Sequence, residues 1–295
     1  MPGEREFPTA AAFRQSVEER LRQRAEERGV AVNGLRLKLL MERLLARLFA
    51  EPDAPWLLKG GYAMELRFRP RARTTRDLDL AVPASGQSSS LALVTLREAM
   101  QQAAARPAGD FLIFRIGEPA KLIETAPAGG ARFPVLVTLA GREYGRFHVD
   151  VGIGPLVGVP EILHGDDLLA FAGVPALRAR AVPRELQFAE KIHAYTRPWD
   201  DRINTRTKDL VDLLLLIEAG LPDREALQEA LRVTFADRPQ RPLPAALPAP
   251  PAEWREDFAV MAQELQLAVR DLDAASAALA EFWRARNLGA PGAGR

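Results

Sequence analysis

The chain has 295 residues with 40 Lys and Arg against 39 Asp and Glu, a formal net charge of +1, so any contact with nucleic acid must come from local patches. Its 47% apolar and 27% charged content is that of a globular protein of one or two domains. There is no cysteine, which excludes disulfides, thiolate zinc sites and cysteine nucleophiles, and His148, His164 and His193 are too scattered to build a histidine zinc centre.

No apolar run approaches the roughly 20 residues needed to cross a bilayer. The first residues lack the charged-then-apolar pattern of a signal peptide. The expectation is a cytoplasmic protein without a membrane partner.

In chain order, residues 10–28 read as a helix, with Phe13, Val17, Leu21 and Ala25 at i+4 steps and Gly29 as its stop. Asn33 is placed to cap a second helix whose Leu37, Leu40, Leu44 and Leu48 share a face. Trp56, Leu57 and Leu58 read as a strand entering the Gly60-Gly61 turn, with a short helix following through Phe68. A basic loop leads to a strand over Asp77–Val82, closed by Pro83. Ser85–Ser90 is polar, and residues 91–105 suit a helix. Phe111–Ile116, Val135–Leu139 and Phe147–Ile153 read as strands. The last puts Phe147, Val149, Val151 and Ile153 on one face, and His148, Asp150 and Gly152 on the other.

From about Asp166 the pattern turns helical. Pro183 starts a helix running to Ala194, and Thr205 or Thr207 is placed to cap another ending at Glu218. Gly220-Leu221-Pro222 opens a third. Residues 238–251 hold six prolines and read as a stiff connection. One long amphipathic helix is expected from about Glu253 to Arg286, before a Gly/Ala/Pro tail that reads as disordered. The expected division is an α/β domain with N-terminal helices over 1–165 and a helical domain over 166–295.

The chemistry concentrates between Lys59 and Leu80. Asp77 and Asp79 lie i, i+2 in an apolar run, so both carboxylates leave one face of a strand. At about 5 Å they repel by about 3 kcal/mol at an effective dielectric near 20. A cation or a shared proton must offset that. With Asp150 from another strand they form a hard oxygen set suited to Mg²⁺ or Mn²⁺ and an NTP. The structural alternative is a solvated strand face among arginines. Gly60 and Gly61 can bring backbone N–H groups to a phosphate at the start of a helix, or can simply make a turn. Arg67, Arg69, Arg71, Arg73 and Arg76, with Lys59, form either a positive wall for triphosphate or RNA, or a solvated loop. Further on, Gln187 and Lys191 share a helix face, and Asp209 sits in a first helical turn. Taken alone, both read as structural.

Together these blocks resemble the AbiEii/AbiGii-type nucleotidyltransferase toxins, which include the MenT toxins. The matching residues are Lys59-Gly60-Gly61, Arg73-x-Thr75-x-Asp77-Leu78-Asp79-Leu80, Val149-Asp150-Val151, Gln187-x-x-x-Lys191 and Lys208-Asp209-Leu210-x-Asp212. The resemblance implies an α+β, polymerase-β-like nucleotidyltransferase fold with a helical C-terminal domain. It implies Mg²⁺-dependent transfer of a nucleotide from an NTP to the 3′ acceptor end of tRNA, with pyrophosphate released. The partners it implies are tRNA and a cognate antitoxin with a winged-helix domain. In this reading Asp77, Asp79, Lys191 and Asp209 are catalytic. Lys59, Gly60, Gly61, Thr75, Gln187 and Lys191 bind the nucleotide, Asp77, Asp79 and Asp150 hold metal, and the five arginines of 67–76 touch RNA. General nucleotidyltransferases often carry Gly-Ser before the aspartates, where this chain has Gly60-Gly61-Tyr62. A small-molecule or protein-hydroxyl acceptor, and a non-catalytic RNA-binding protein, are the alternatives.

Overall fold

In the computed structural model, which describes residues 7–71, 73–83, 89–123, 129–197, 206–236 and 242–289, Thr9 opens helix α1 (Ala10–Arg28) by accepting from the Ala12 N–H. Gly29 closes it in the left-handed conformation, at φ 63°, with its N–H on the Ala25 and Glu26 carbonyls. Phe13, Val17, Leu21 and Ala25 are its buried residues, as their spacing predicts. Helix α2 (Val32–Leu48) begins before Asn33, so Asn33 is not its cap: Ala31 holds that place, and the Asn33 side chain accepts from Arg36.

Strand β1 (Leu57–Lys59) runs directly into α3 (Gly60–Phe68), and β2 (Leu78–Val82) follows. Then come α4 (Ser89–Ala104), β3 (Ile113–Ile116), β4 (Lys121–Leu122), β5 (Gly130–Leu139), β6 (Arg142–Ile153), β7 (Glu161–His164) and β8 (Arg178–Ala181). Among the described residues these make one eight-stranded mixed sheet in the order β3-β5-β6-β2-β1-β8-β7, with β4 also paired to β5. β2 runs parallel to β6 and β1 parallel to β8, and the other pairs are antiparallel.

Three expectations fail here, the first at β6, which starts five residues before Phe147. Strand β5 starts five residues before Val135, with Pro134 inside it. β8 lies in a stretch that reads as helical. Arg-Ala-Arg-Ala favours helix by propensity, but Ala179 and Ala181 are fully buried against the core and pairing to β1 and β7 overrides the preference.

One face of the sheet carries Leu58, Leu78, Leu80, Phe133, Val149 and Val151, packed in a single core with Leu40, Leu44 and Leu45 of α2 and Met100 of α4. This core belongs to a compact unit made of Met1–Leu66, Thr74–Gly154 and Glu161–Ala181. Strand alternation leaves the opposite face to polar residues.

The second compact unit comprises Arg67–Arg73, Pro155–Pro160 and Val182–Arg295. Its described helices are α5 (Arg184–Tyr195), α6 (Thr207–Glu218), α7 (Arg224–Ala236), α8 (Arg255–Glu264) and α9 (Leu272–Ala285). Pro183 takes the N-cap position of α5. Thr207 is the first residue of α6 and not its cap, a place held by Arg206; Thr205 lies outside the described residues. The single helix expected over 253–286 is two. Its break falls at Gln266, at φ 53°, and Asp271 caps the restart by accepting from Ala274 N–H. Arg71 donates to the Leu265 and Gln266 carbonyls, satisfying groups that the end of α8 leaves open. Of the Pro-rich stretch, 238–241 lies outside the described residues. The remainder is tied down by Tyr195 donating to the Pro248 carbonyl and Trp283 donating to that of Ala245.

Candidate active site

The polar face of the sheet is organised by register. Lys59 of β1 pairs with Asp79 of β2, Asp79 pairs with Asp150 of β6, and Asp150 pairs with Arg132 of β5. One row across four strands thus reads cation, acid, acid, cation. One residue along each strand, the core-facing row is Leu58, Leu80, Val151 and Ala131, all fully buried. A slip of one residue would exchange the two rows, so burial of the apolar row sets the polar one.

Arg132 neutralises the acids. Its Nε donates to Asp150 Oδ1 and its Nη2 to Asp150 Oδ2, each at 2.7 Å, and Nη2 also lies 3.4 Å from Asp77 Oδ2. These carboxylates, the Asp150 hydrogen bond foremost, hold the guanidinium pKa above the usual arginine value. Asp77 stands just ahead of β2 with its side chain 40% exposed, and His148 Nδ1 is 3.7 Å from it.

Gly60 opens α3 at φ 64°, and a Cβ placed on it would lie 2.0 Å from Asp79 Oδ2. Glycine is therefore required twice over, for its backbone conformation and for the space the carboxylate takes. Asp79 rests against the start of a helix, whose first N–H groups have no intrahelical partner. Gly61 is buried in the first turn. Tyr62, fully buried, donates its hydroxyl to Glu42 of α2 at 2.9 Å and so anchors α3. Burial pushes the Glu42 carboxyl up, opposed by hydrogen bonds from the Asp166 N–H and Tyr62. Thr75 shapes the approach to β2: its N–H donates to Glu65 and its hydroxyl to the Asp77 carbonyl.

In the second unit, Lys191 is buried between two acids, with Nζ 2.7 Å from both Asp209 and Asp212. Arg73 grips the fully buried Asp212 with Nε at 3.2 Å and Nη2 at 2.9 Å, while Arg206 reaches Asp209 at 3.4 Å. Burial pulls the Lys191 pKa down, but Asp212 and Asp209 outweigh it and leave the ammonium above its ordinary value. Burial would raise the Asp212 pKa, but Lys191 and Arg73 together hold it below the usual carboxylate range. Gln187 is also buried and accepts from Arg67 at 3.4 Å.

The five arginines of 67–76 are not one wall. Arg67 donates to the Val182 carbonyl as well as to Gln187. Arg71 bonds Glu218 and the end of α8, and Arg73 bonds Asp212. These three brace the helical unit. Arg69 is half-buried, and Arg76 is exposed.

The donor chemistry fits a divalent cation. Asp77 and Asp79 supply two hard oxygen ligands on one face, and Gly60 leaves the room that the Asp79 carboxylate takes. Among the described residues no three His, Asp or Glu side chains gather into a metal cage. Mg²⁺ does not require one, since it characteristically takes one or two carboxylates and completes its shell with phosphate and water. Both oxygens of Asp150 are occupied by Arg132.

Sequence reasoning misses Arg132 and the partnership of Asp212 with Lys191 and Arg73. The alternation of Ala131, Phe133, Val135 and Val137 puts Arg132 on the polar face, but Pro134 argues against a strand there. Its position opposite Asp150 exists only in the register.

The sequence family described as "Nucleotidyl transferase AbiEii toxin, Type IV TA system" matches residues 43–285. Among solved structures, MenT4, a nucleotidyltransferase toxin from Mycobacterium tuberculosis H37Rv, is similar with a TM-score of 0.57 at 16% identity, over 95% of this chain and 90% of that one. At that identity the likeness speaks for the fold. An antigenic nucleotidyltransferase-like protein from Paracoccidioides brasiliensis gives 0.39 at 15% identity, over 69% of this chain and 89% of that one. The antibiotic-resistance factor ANT(2'')-Ia gives 0.36 at 17%, over 68% and 92%. Neither of these two scores is high enough to argue from. Comparison with curated proteins finds no match.

Proposed function

From the premise that the chain belongs to the AbiEii nucleotidyltransferase toxin family, we propose that it moves a nucleotide from an NTP onto the 3′ acceptor end of tRNA, with Mg²⁺ as cofactor and pyrophosphate as the other product. Nucleotidyltransferase chemistry and a toxin–antitoxin setting come with the family, and so does an antitoxin partner. The tRNA acceptor, the metal and a winged-helix antitoxin are the finer parts of the proposal. No helix among the described residues is long and apolar enough to cross a membrane.

The observation that supports this reading best is the carboxylate pair of Asp77 and Asp79 beside Gly60. A bound Mg²⁺ would neutralise charge on the triphosphate and polarise the phosphorus under attack. Asp77 and Asp79 would hold that ion. Gly60 gives Asp79 the room it takes at the start of α3. Lys59 and Arg132 set the charge balance along the row. In the helical unit, Lys191 and Asp209 are the further catalytic residues of the proposal: Lys191 sits between Asp209 and Asp212, and Arg73 holds Asp212. Exposed Arg76 meets RNA.

One observation favours a smaller acceptor: Arg67, Arg71 and Arg73 have partners inside the protein, which reduces the positive surface for a polyanion. The test is transfer from each labelled NTP in turn, with total tRNA and Mg²⁺, by the native protein and by Asp79→Ala. Label on tRNA with the native protein alone supports the proposal. Pyrophosphate released only with small molecules or proteins moves the acceptor, and inactivity with every acceptor overturns the reading.

A further inference from the structure

The Asp77–Asp150 pair already has a cation. Arg132 meets Asp150 through two parallel hydrogen bonds of 2.7 Å and reaches Asp77 at 3.4 Å, so one guanidinium bridges acids from two different strands. Its side chain is 36% exposed, and Asp77 is 40% exposed. This contact can open without unpacking a core. It contrasts with Arg43 and Arg47 on the fully buried Asp110, a pair of bridges sealed inside the same unit.

We propose that Arg132 is an internal counter-ion that competes with divalent metal at Asp77, so that the metal enters with its nucleotide and not ahead of it. The inference rests on the metal-dependent reading above. A guanidinium and a divalent cation cannot share the Asp77 carboxylate without strong repulsion. A triphosphate changes the balance, because it brings negative charge and oxygen ligands for the ion, and its oxygens also suit the fork of the displaced arginine. Arg132 then passes from acid to phosphate. It acts as a positioning residue: it offsets the charge of the acids before nucleotide binds and gives up Asp77 on loading. Asp150, with both oxygens on Arg132, tethers the guanidinium beside Asp77.

The test measures Mn²⁺ binding by electron paramagnetic resonance, without nucleotide and then with NTP, for the native protein, Arg132→Met and Arg132→Gln. Without nucleotide, either variant binds Mn²⁺ about tenfold more tightly than the native protein, the effect of one partly solvated charge removed from contact. Adding Asp77→Asn to the variant abolishes the gain. Circular dichroism and thermal melting establish that each variant is folded, and two variants guard against one failing. Equal or weaker Mn²⁺ affinity in a folded variant overturns the inference while leaving the metal reading intact, provided the native protein binds Mn²⁺ with NTP. No Mn²⁺ bound by any protein, even with NTP, overturns both.

Discussion

Gly60→Ala tests whether the start of α3 and the Asp79 carboxylate are built as one device. The new methyl carbon would stand 2.0 Å from Asp79 Oδ2 and 2.5 Å from its Cγ, far inside van der Waals contact. Asp79 must therefore move by more than about 1 Å, a displacement that costs roughly a hundredfold when it falls on a reacting group. The backbone at φ 64° adds about 1–2 kcal/mol of strain for any L side chain, or a fall of about 2–8 °C in Tm. Gly29→Ala is the matched control: its φ is 63°, but nothing lies within 4 Å of its Cβ position. Pyrophosphate release with saturating NTP and acceptor, read beside thermal melting, separates strain from clash. Both variants should melt lower, and only Gly60→Ala should lose about a hundredfold in turnover. Gly60→Ala protein with native turnover would show that the position of Asp79 beside Gly60 does not matter to the chemistry.

The buried charges of the helical unit give a second set of outcomes. Asp212→Asn strips Lys191 and Arg73 of a fully buried partner and should cost about 3–5 kcal/mol in urea unfolding; a loss under about 1 kcal/mol would mean the network is dispensable. Because the folded Asp212 pKa lies below its unfolded value of about 3.9, its contribution is present above that pH and lost as pH falls through the lower folded value. Stability of the native protein should therefore drop more steeply than that of Asp212→Asn below about pH 4, and parallel acid profiles would contradict the assignment. Arg73→Glu should destabilise by a similar amount, whereas exposed Arg76→Glu should stay within about 0.5 kcal/mol of native stability and weaken only the use of tRNA; unchanged tRNA transfer would remove Arg76 from the acceptor surface. Leu80→Ala should cost about 2–5 kcal/mol, since Leu80 is fully buried beneath the acid row, and a smaller loss would put the core elsewhere.

Much of the architecture was legible from short-range physics. The i+4 spacing of Phe13, Val17, Leu21 and Ala25 located α1, and the alternation of 147–153 located the far end of β6 with Asp150 on its polar face. Where tertiary pairing competes with local preference, the sequence misleads. Arg-Ala repeats concealed β8, Pro134 concealed the start of β5, and a continuous apolar stripe concealed the break between α8 and α9.

The same division holds at the site. The sequence by itself determined that Asp77 and Asp79 share a strand face and that Gly60-Gly61 opens a helix, because a period of two and the freedom of glycine are local properties. It also carried the order of blocks by which the family is recognised. Only the tertiary structure decided which cations answer those acids. Arg132 pairs with Asp150 across eighteen positions of chain and Arg73 with Asp212 across 139, through strand register and helix packing. Spacing within any one segment holds no record of such partners, since they are chosen by which apolar faces can be buried together.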